Sequence, residues 1–393
     1  FPVCFIRESI MSTVDKIAKI TDRAGTGAPN FTNGFTIAGV DSGLAPFSHT
    51  EGATAPSSSQ NGDTWWDTAN SVYYVYMNNT WQNWLGSVPA TPATYGDRGF
   101  RIGYYDASNV ISNNIEYWSI ASSSGNAVDF GDITRNHYRG CSASSGDYVY
   151  TIGGYTAFGS TPTNVIDRFA TATTGNATDV GDTNYAAVYD GVAEATIAGG
   201  RVVYTHGNAT GVIEYFAFSA STNASDFGDL NTDVGQCGSA ANDTRMLVAG
   251  GQPGSGVVND IQYITMGTTG NATDFGDLVH GATYRNFGAG TGGQDKAIFG
   301  DGTAGGYSSA NMQYVDITTT GNASDFGDLH TGAAINTGLC NATKAHVIGG
   351  YSGSLPSLNN IQQFTMATTG NATDYGDLIS GISFPSAASG SPS

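Results

Sequence analysis

An eight-residue stretch, Asn271-Ala272-Thr273-Asp274-Phe275-Gly276-Asp277-Leu278, constrains this chain more than any other feature. It recurs six times in near-identical form, with copies beginning at Asn126, Asn176, Asn223, Asn271, Asn322 and Asn371. The spacings are 50, 47, 48, 51 and 49 residues. A period near 50 means that one supersecondary unit is built again and again, each unit burying its apolar face against the next. Six similar copies also read as a scaffold before they read as an active site.

Each unit has four pieces. The first is an apolar strand ending in glycine: Ile152-Gly153-Gly154, Ala198-Gly199-Gly200, Ala249-Gly250-Gly251, Phe299-Gly300-Asp301 and Ile348-Gly349-Gly350, with a degenerate first copy at Arg101-Ile102-Gly103-Tyr104. A variable loop follows. Next comes an alternating strand such as Ile261-Gln262-Tyr263-Ile264-Thr265-Met266, whose period of two marks a half-buried β-strand. The signature follows, and a small-residue strand such as Gly332–Gly338 ends the unit. Four strands per unit of this size is the make-up of a propeller blade.

The Gly-Gly after an apolar strand resembles the kelch repeat. The signature aromatic (Phe130, Phe227, Phe275, Phe326, Tyr375) stands about where kelch repeats keep a tryptophan, and the usual kelch Tyr-Asp pair is absent. The match is divergent and covers about three quarters of the chain. Counting strands predicts how the array ends. The first Gly-ending strand lacks a small-residue strand before it, and the last signature is followed by an orphan, Gly381–Ser389. The orphan is expected to complete the first blade. The expected fold is all-β: a six-bladed kelch-like β-propeller closed by the C-terminal strand, which removes the exposed edges of an open array.

Ahead of the repeats, residues 62–87 read as a small Trp-rich meander of three strands: Gly62-Asp63-Thr64-Trp65-Trp66-Asp67-Thr68, Ser71–Met77 and Thr80-Trp81-Gln82-Asn83-Trp84, with Asn78-Asn79 suited to a tight turn. Four of the chain's five tryptophans lie there. They can form an aromatic mini-core, or a surface that stacks on sugars or docks a partner. Residues 1–61 are expected to be an extended attachment arm, rich in Gly, Pro, Ser and Thr from residue 24 onward and with a short helix or extended piece near residues 11–24. The Pro-Ala-rich stretch 88–97 reads as a linker, and 98–393 as the repeat domain.

The meander resembles an element of bacteriophage tail fibres and other virion proteins. The matching parts are Gly62-Asp63, Trp65-Trp66, Asp67-Thr68, Tyr74-Val75-Tyr76 and Thr80-Trp81, and the preceding KITDRAGTGAPNFTNGF resembles the opening of marine-phage structural proteins. This covers about the first quarter of the chain. The resemblance implies a virion location, attachment to other virion proteins through residues 1–87, and multiple copies per particle.

Composition narrows the partners. Lys and Arg number 14 against 33 Asp and Glu, a formal net charge of -19. Such a surface lacks the cationic footprint that nucleic acid or an anionic membrane requires. No apolar run is long enough to span a bilayer as a helix. Met11 opens a more ordinary beginning than Phe1, and Phe1–Ile6 lacks the make-up of a signal peptide. The cysteines, Cys4, Cys141, Cys237 and Cys340, show no metal-binding spacing and are expected to be small buried residues rather than a disulfide framework.

Paired aspartates such as Asp274 and Asp277 could suggest calcium, but the motif lacks further acidic ligands, and Asn, Asp and Gly are what tight turns require. The signature is therefore read as a turn, with Phe275 and Leu278 supplying apolar contact between blades. The repeated Asn-x-Thr is read as part of the same turn. The six histidines share no repeat position, and no HExxH, GxSxG or phosphate-cradling loop occurs. No catalysis, cofactor or metal is expected.

Binding is expected in the unlike loops Tyr155–Thr163, Gln252–Asn259, Thr303–Asn311 and Tyr351–Asn359, since loops on a rigid frame commonly carry recognition. The candidate binding residues are Trp65, Trp66, Trp81, Trp84, Tyr155, Phe158, Tyr307 and Tyr351. The expected function is that of a phage virion surface or tail-associated protein, attached by its arm, whose propeller loops bind a host surface glycan or protein. The alternatives are a capsid-decoration or baseplate protein without a receptor, and a glycan-active enzyme on the same scaffold.

Overall fold

The computed structural model describes residues 36–37, 40–41, 49–52, 54–59, 63–67, 72–77 and 80–83, and residues 96–390 apart from 107, 109, 159–161, 186–189, 197–198, 219–222, 280–287, 291–295, 302–308 and 352–356. The helix expected near residues 11–24, and Cys4, lie outside the described residues. The chain divides into two compact units, Phe1–Val88 and Pro89–Ser393.

In the first unit, Thr64–Asp67, Val72–Met77 and Thr80–Asn83 form the expected antiparallel meander. A fourth strand, His49–Gly52, joins it in parallel on Thr64–Asp67. That strand comes from the stretch assigned to the arm. Its sequence, His-Thr-Glu-Gly, carries no apolar alternation, because an edge strand here is held by backbone pairing rather than by a buried face. A short pair, Thr36–Ile37 with Val40–Asp41, also lies in the arm.

The second unit is six four-stranded antiparallel sheets in sequence. Sheets 2 to 6 span residues 141–182, 193–229, 238–277, 288–328 and 337–377. Sheet 1 is made of Arg98–Tyr105, Ile111–Ser119 and Val128–Asp132, completed by the C-terminal strand Ser386–Gly390, which pairs antiparallel with Arg98–Tyr105. The orphan strand thus goes where the count predicts. We letter the strands of each sheet a to d, so that in sheet 4 they are Gly238–Ala241, Arg245–Ala249, Asp260–Thr265 and Thr273–Asp277.

Burial follows the sequence pattern. Strand b of sheet 4, Arg-Met-Leu-Val-Ala, is buried after its first residue, as a strand covered on both faces must be. Strand c alternates more, with Tyr263 and Thr265 turned outward. Two sequence assignments shift. In sheet 3, Gly199 and Gly200 do not end strand b but form the turn before it, and strand b runs Arg201–Thr205 into His206-Gly207. The small-residue strand placed at Gly332–Gly338 begins at Thr337 and ends at Cys340. Small residues pattern alike in turns and in crowded strands, so periodicity alone does not separate them.

The largest correction concerns the signature. Thr273–Asp277 is not a turn but strand d, the outer edge of the sheet. Its pairing slips at one place: Ile261 faces Gly276 while Gln262 faces Asp274, so Phe275 is the extra residue of a β-bulge. The same slip occurs in all six sheets. The bulge turns Phe275 inward, where it packs with Leu278 against Ala297, Phe299, Val315 and Ile317 of sheet 5. Phe275 and Leu278 are therefore the inter-sheet apolar contact expected of them. Six apolar clusters arise this way, each between consecutive sheets, and the sixth joins sheet 6 to sheet 1 through Leu339, Ile361, Tyr375, Trp118 and Ile120.

Polar atoms of the signature stitch neighbours together. The Asp277 N–H donates to Asn322 Oδ1 of the next copy at 3.1 Å, and the Ala323 N–H donates back to the Asp277 carbonyl at 2.8 Å. Equivalent bonds link Asp132 to Asn176, Asp182 to Asn223, Asp229 to Asn271 and Asp328 to Asn371. The last copy meets the first: the Asp377 N–H donates to Asn126 Oδ1 at 3.0 Å and the Ala127 N–H to the Asp377 carbonyl at 2.9 Å. The signature glycine is required by this approach. At Gly276, φ is +150°, and a Cβ would run into the Gly321 carbonyl of the next copy.

Two further positions repeat with a structural role. The first residue of strand b is cationic in five sheets, and Arg98, Arg201, Arg245 and Lys296 lie over the strand-c rings of Tyr117, Tyr215, Tyr263 and Tyr314. In sheet 2 the partners are exchanged, with Arg168 over Tyr148. Arg98, Arg245, Lys296 and Lys344 also donate to carbonyls of the following sheet, Lys344 of sheet 6 reaching Ser122 of sheet 1 at 2.6 Å. A buried polar residue of strand c holds the loop of the preceding sheet: Asp167, Gln262, Gln313, Gln362 and Glu116 accept from the N–H of Thr134, Asn231, Val279, Thr331 and Ile379. Sheet 3 differs, since Glu214 turns to Tyr204 and His206 instead.

Candidate recognition site

Strands a carry little side-chain volume (Cys-Ser-Ala-Ser, Ala-Glu-Ala-Thr, Gly-Ser-Ala-Ala) and pack side by side around a cavity of about 190 Å³. At the end where strands a begin, five of the described residues sit in the left-handed region: Arg139 (φ 60°), Asp190 (58°), Gln236 (56°), Ile335 (62°) and Phe384 (54°). They are joined in series. The Asp190 N–H donates to the Arg139 carbonyl, Gln236 to Asp190, Phe384 to Ile335 and Arg139 to Phe384, at 2.7 to 3.2 Å. Left-handed backbone costs most for a β-branched residue such as Ile335, and it persists only where surroundings over-determine it. Here the linked N–H groups do so.

Aromatic side chains gather beside this rim. Phe158 is 66% exposed and stacks on Tyr105 at 5.3 Å. Tyr105 lies 5.7 Å from Tyr138, which lies 5.4 Å from Tyr155 and 6.3 Å from Phe384. The Arg139 guanidinium sits over the Phe384 ring at 4.4 Å and pairs with Asp190 at 3.1 Å. An exposed ring backed by a layer of others is a platform for stacking, because the layer fixes its orientation before a ligand arrives.

Of the sequence-predicted residues, Tyr155 and Phe158 are brought together here. Tyr351 is half-buried and bridges to Ala334. Tyr307 and Trp84 lie outside the described residues, and Trp66 is placed only as part of its strand. Trp65 is not on a surface: it is 7% exposed, stacks on Tyr74 at 5.0 Å, meets Trp81 edge-on at 5.8 Å, and donates its indole N–H to the Gly52 carbonyl at 2.9 Å. The mini-core reading therefore holds for Trp65, with Trp81 half-buried against it. Sequence reasoning missed Tyr105, Tyr138, Arg139 and Phe384. A signal was present, since Arg139, Gln236, Ile335 and Phe384 each stand seven residues after the last Asp of a signature.

The buried titratable groups explain the site's rigidity more than any chemistry. His137 is buried against Gly103, Gly140 and Gly154, its Nδ1 lies 3.1 Å from the Gly153 carbonyl, and burial with the nearby Arg135 charge lowers its pKa to about 3. His346 accepts the Trp118 indole N–H on Nδ1 at 2.7 Å, and burial lowers it to about 4. Glu194 faces the cavity, accepts from Ser239 Oγ at 2.8 Å, and is raised by burial to about 7. The Cys141, Cys237 and Cys340 thiols are outside any disulfide, buried and pushed up by burial, so they are inert packing groups. Among the described residues no group of three or more His, Cys, Asp or Glu gathers as a metal site would.

These shifts give a pH dependence. Between about pH 6.5 and 4.5 the unfolded chain protonates both histidines while the folded one does not, so each removes about 1.4 kcal/mol of stability per unit of acidification. Glu194 works the other way over that window, because the folded state keeps its proton and the unfolded state does not. The expected net loss is about 1.4 kcal/mol per pH unit, read as a falling urea midpoint. In His346→Gln the slope over that window should be nearly flat.

Comparison with protein-family models gives no match, and comparison with curated proteins gives none either.

Proposed function

We propose that the six sheets close into a six-bladed, kelch-like propeller and that the protein is a bacteriophage virion surface or tail-associated protein. Residues 1–87 attach it to other virion proteins, and one end of the propeller binds a host surface glycan. Closure is supported by the likeness of the sixth junction to the others: the Asp377–Asn126 stitch recurs at all five other junctions, the Glu116–Ile379 bond has counterparts at four of them and the Lys344–Ser122 bond at three. The virion assignment rests on the resemblance of residues 62–84 to phage elements.

The observation that carries the binding function is the exposed Phe158 stacked on Tyr105 and backed by Tyr138 and Tyr155. Aromatic faces suit the C–H faces of sugar rings and need no charge, which agrees with a chain whose surplus of acids repels anionic partners. The full chain should bind immobilised bacterial polysaccharide, and Phe158→Ala should weaken that binding at least about tenfold, on the order of 1.4 kcal/mol. Antibodies raised against the chain should label the outside of intact particles that contain it. A chain with no polysaccharide binding, or labelling only of disrupted particles, would overturn this reading.

A further inference from the structure

Cations in this chain are used to cover rings. Among the described residues, seven of the chain's 14 Lys and Arg lie over an aromatic ring, 4.3 to 5.3 Å from its centroid. The attraction comes from the electron-rich face of the ring. Phe158 differs. It is the most exposed large apolar side chain among the described residues, and Tyr105 backs one face of its ring at 5.3 Å. Among the described residues no cation covers the other face.

The charge beside this stack is negative. Asp106 follows Tyr105 in the chain, is half-buried, and accepts the Ser108 and Val110 N–H groups on Oδ1, both at 2.8 Å. Those bonds hold the carboxylate in place and leave its Oδ2 without a partner among the described residues. Burial raises the Tyr105 pKa, and Tyr138 and then Asp106 raise it further, so the Asp106 charge is near enough to act on the stack. Neighbouring cations do not cancel it. Arg139 is matched by Asp190 at 3.1 Å, Arg135 by Asp167 and Arg101 by Glu116.

An open aromatic face next to an uncancelled carboxylate sorts ligands by charge. A carboxylate or phosphate group would be repelled by Asp106. A neutral sugar ring can stack on Phe158 but gains nothing from the carboxylate. A bare divalent cation would find one carboxylate, and among the described residues no group of three or more His, Cys, Asp or Glu gathers around it. A protonated amine uses both features. Its positive charge suits the ring face, and its N–H groups can donate to an ionised acceptor. The net charge of -19 on the whole chain adds attraction at longer range.

We propose that the open face of Phe158, with Asp106 beside it, is a subsite for a protonated amine, and that the glycan it takes carries unacetylated amino sugars. The inference rests on the glycan-binding reading and adds the charge of the ligand.

The test uses the full chain titrated calorimetrically with tetramers of β-1,4-linked glucosamine and of N-acetylglucosamine, which differ only in whether the amine is acetylated. At about pH 6 the free amine keeps its proton. The glucosamine tetramer should bind about tenfold more tightly or better, and tetramethylammonium should compete with it. Phe158→Leu keeps an apolar side chain but removes the electron-rich face, and it should weaken glucosamine-tetramer binding about threefold or more. Asp106→Asn can still accept from Ser108 and Val110, so the loop stays folded, and it should weaken that binding about threefold. If the two tetramers bind alike, the amine subsite is refuted and the glycan reading stands. If the glucosamine tetramer binds either variant as it binds the wild type, its binding is general attraction to an acidic surface and the subsite is likewise refuted. If neither tetramer binds while a bacterial polysaccharide does, the subsite is refuted and the glycan reading stands. If pentalysine binds in a Phe158-dependent way while no saccharide does, the amine subsite stands and the glycan reading falls. If nothing binds at all, both fall.

Discussion

Deleting residues 382–393 is expected to abolish the cooperative unfolding transition of the repeat unit rather than lower its midpoint. The deleted stretch contains strand Ser386–Gly390, the entire first strand of sheet 1, paired in register with Arg98–Ile102. It also contains Ile382, fully buried with Leu339, Ile348, Trp118 and Ile120 at the junction of sheets 6 and 1. Loss of a buried Ile side chain alone costs about 2–5 kcal/mol. Adding the unpaired ladder of strand Arg98–Tyr105 brings the total into the range of a whole domain's stability, about 5–15 kcal/mol. Near-UV circular dichroism on heating reads this directly. Ile382→Ala in the full chain should retain a cooperative transition at lower temperature. A truncated chain that melts within a few degrees of the wild type would show that sheet 1 is stable with three strands and that the sixth junction is dispensable.

Glu116→Ala is expected to cost about 3–5 kcal/mol, the usual penalty for stranding one member of a buried ion pair. The Arg101 guanidinium has no exposed surface and pairs with Glu116 Oε1, while Glu116 Oε2 accepts from the Ile379 N–H of sheet 6 at 3.2 Å. Burial lowers the Arg101 pKa, and Glu116 opposes that shift. Removing Glu116 thus strands a charge and frees a junction at once. Glu116→Gln should cost less, since an amide can still accept from Ile379, as Gln262, Gln313 and Gln362 do in their sheets. Arg101→Met combined with Glu116→Gln should recover most of the loss. Urea denaturation of the wild type, Glu116→Gln, Arg101→Met and the double variant gives the coupling energy. Near-additive costs would mean that other contacts hold the Arg101 guanidinium, such as its bonds to Asn114 and the Tyr104 ring 4.4 Å from it.

Much of the fold was legible in the chain because its cause is local and repeated. The eight-residue signature gave the number of sheets, the alternation in Ile261–Met266 gave a half-buried strand, and the orphan after Leu378 gave the partner of Arg98–Tyr105. What misled was chemistry shared by two structures. Asn, Asp and Gly suit turns, yet here they suit an edge strand. The edge is blunted by charge: 12 of the 33 acidic residues are the paired aspartates of the signature, exposed or half-exposed along the strands d. Gly199-Gly200 matched the Gly-Gly of its neighbours while serving as a different turn, since a two-residue match carries no register.

The site was legible only in part, for a different reason. Tyr155 and Phe158 lie in one loop and could be named as loop aromatics. Tyr105, Tyr138 and Phe384 come from sheet 1's second strand, from the loop after its last strand and from the end of the chain, and no local pattern joins them. Asp106 reads in sequence as one more turn residue. By itself the sequence determined the repeating strand pattern, its count and the acidic edge, because each follows from the period of side chains along a strand. Only the tertiary structure decided that the signature asparagine stitches one sheet to the next, that five residues turn left-handed around a common rim, and that Phe158 keeps one face open above Tyr105. Those facts depend on which backbone approaches which, and distances across sheets are not written in the spacing of residues along one.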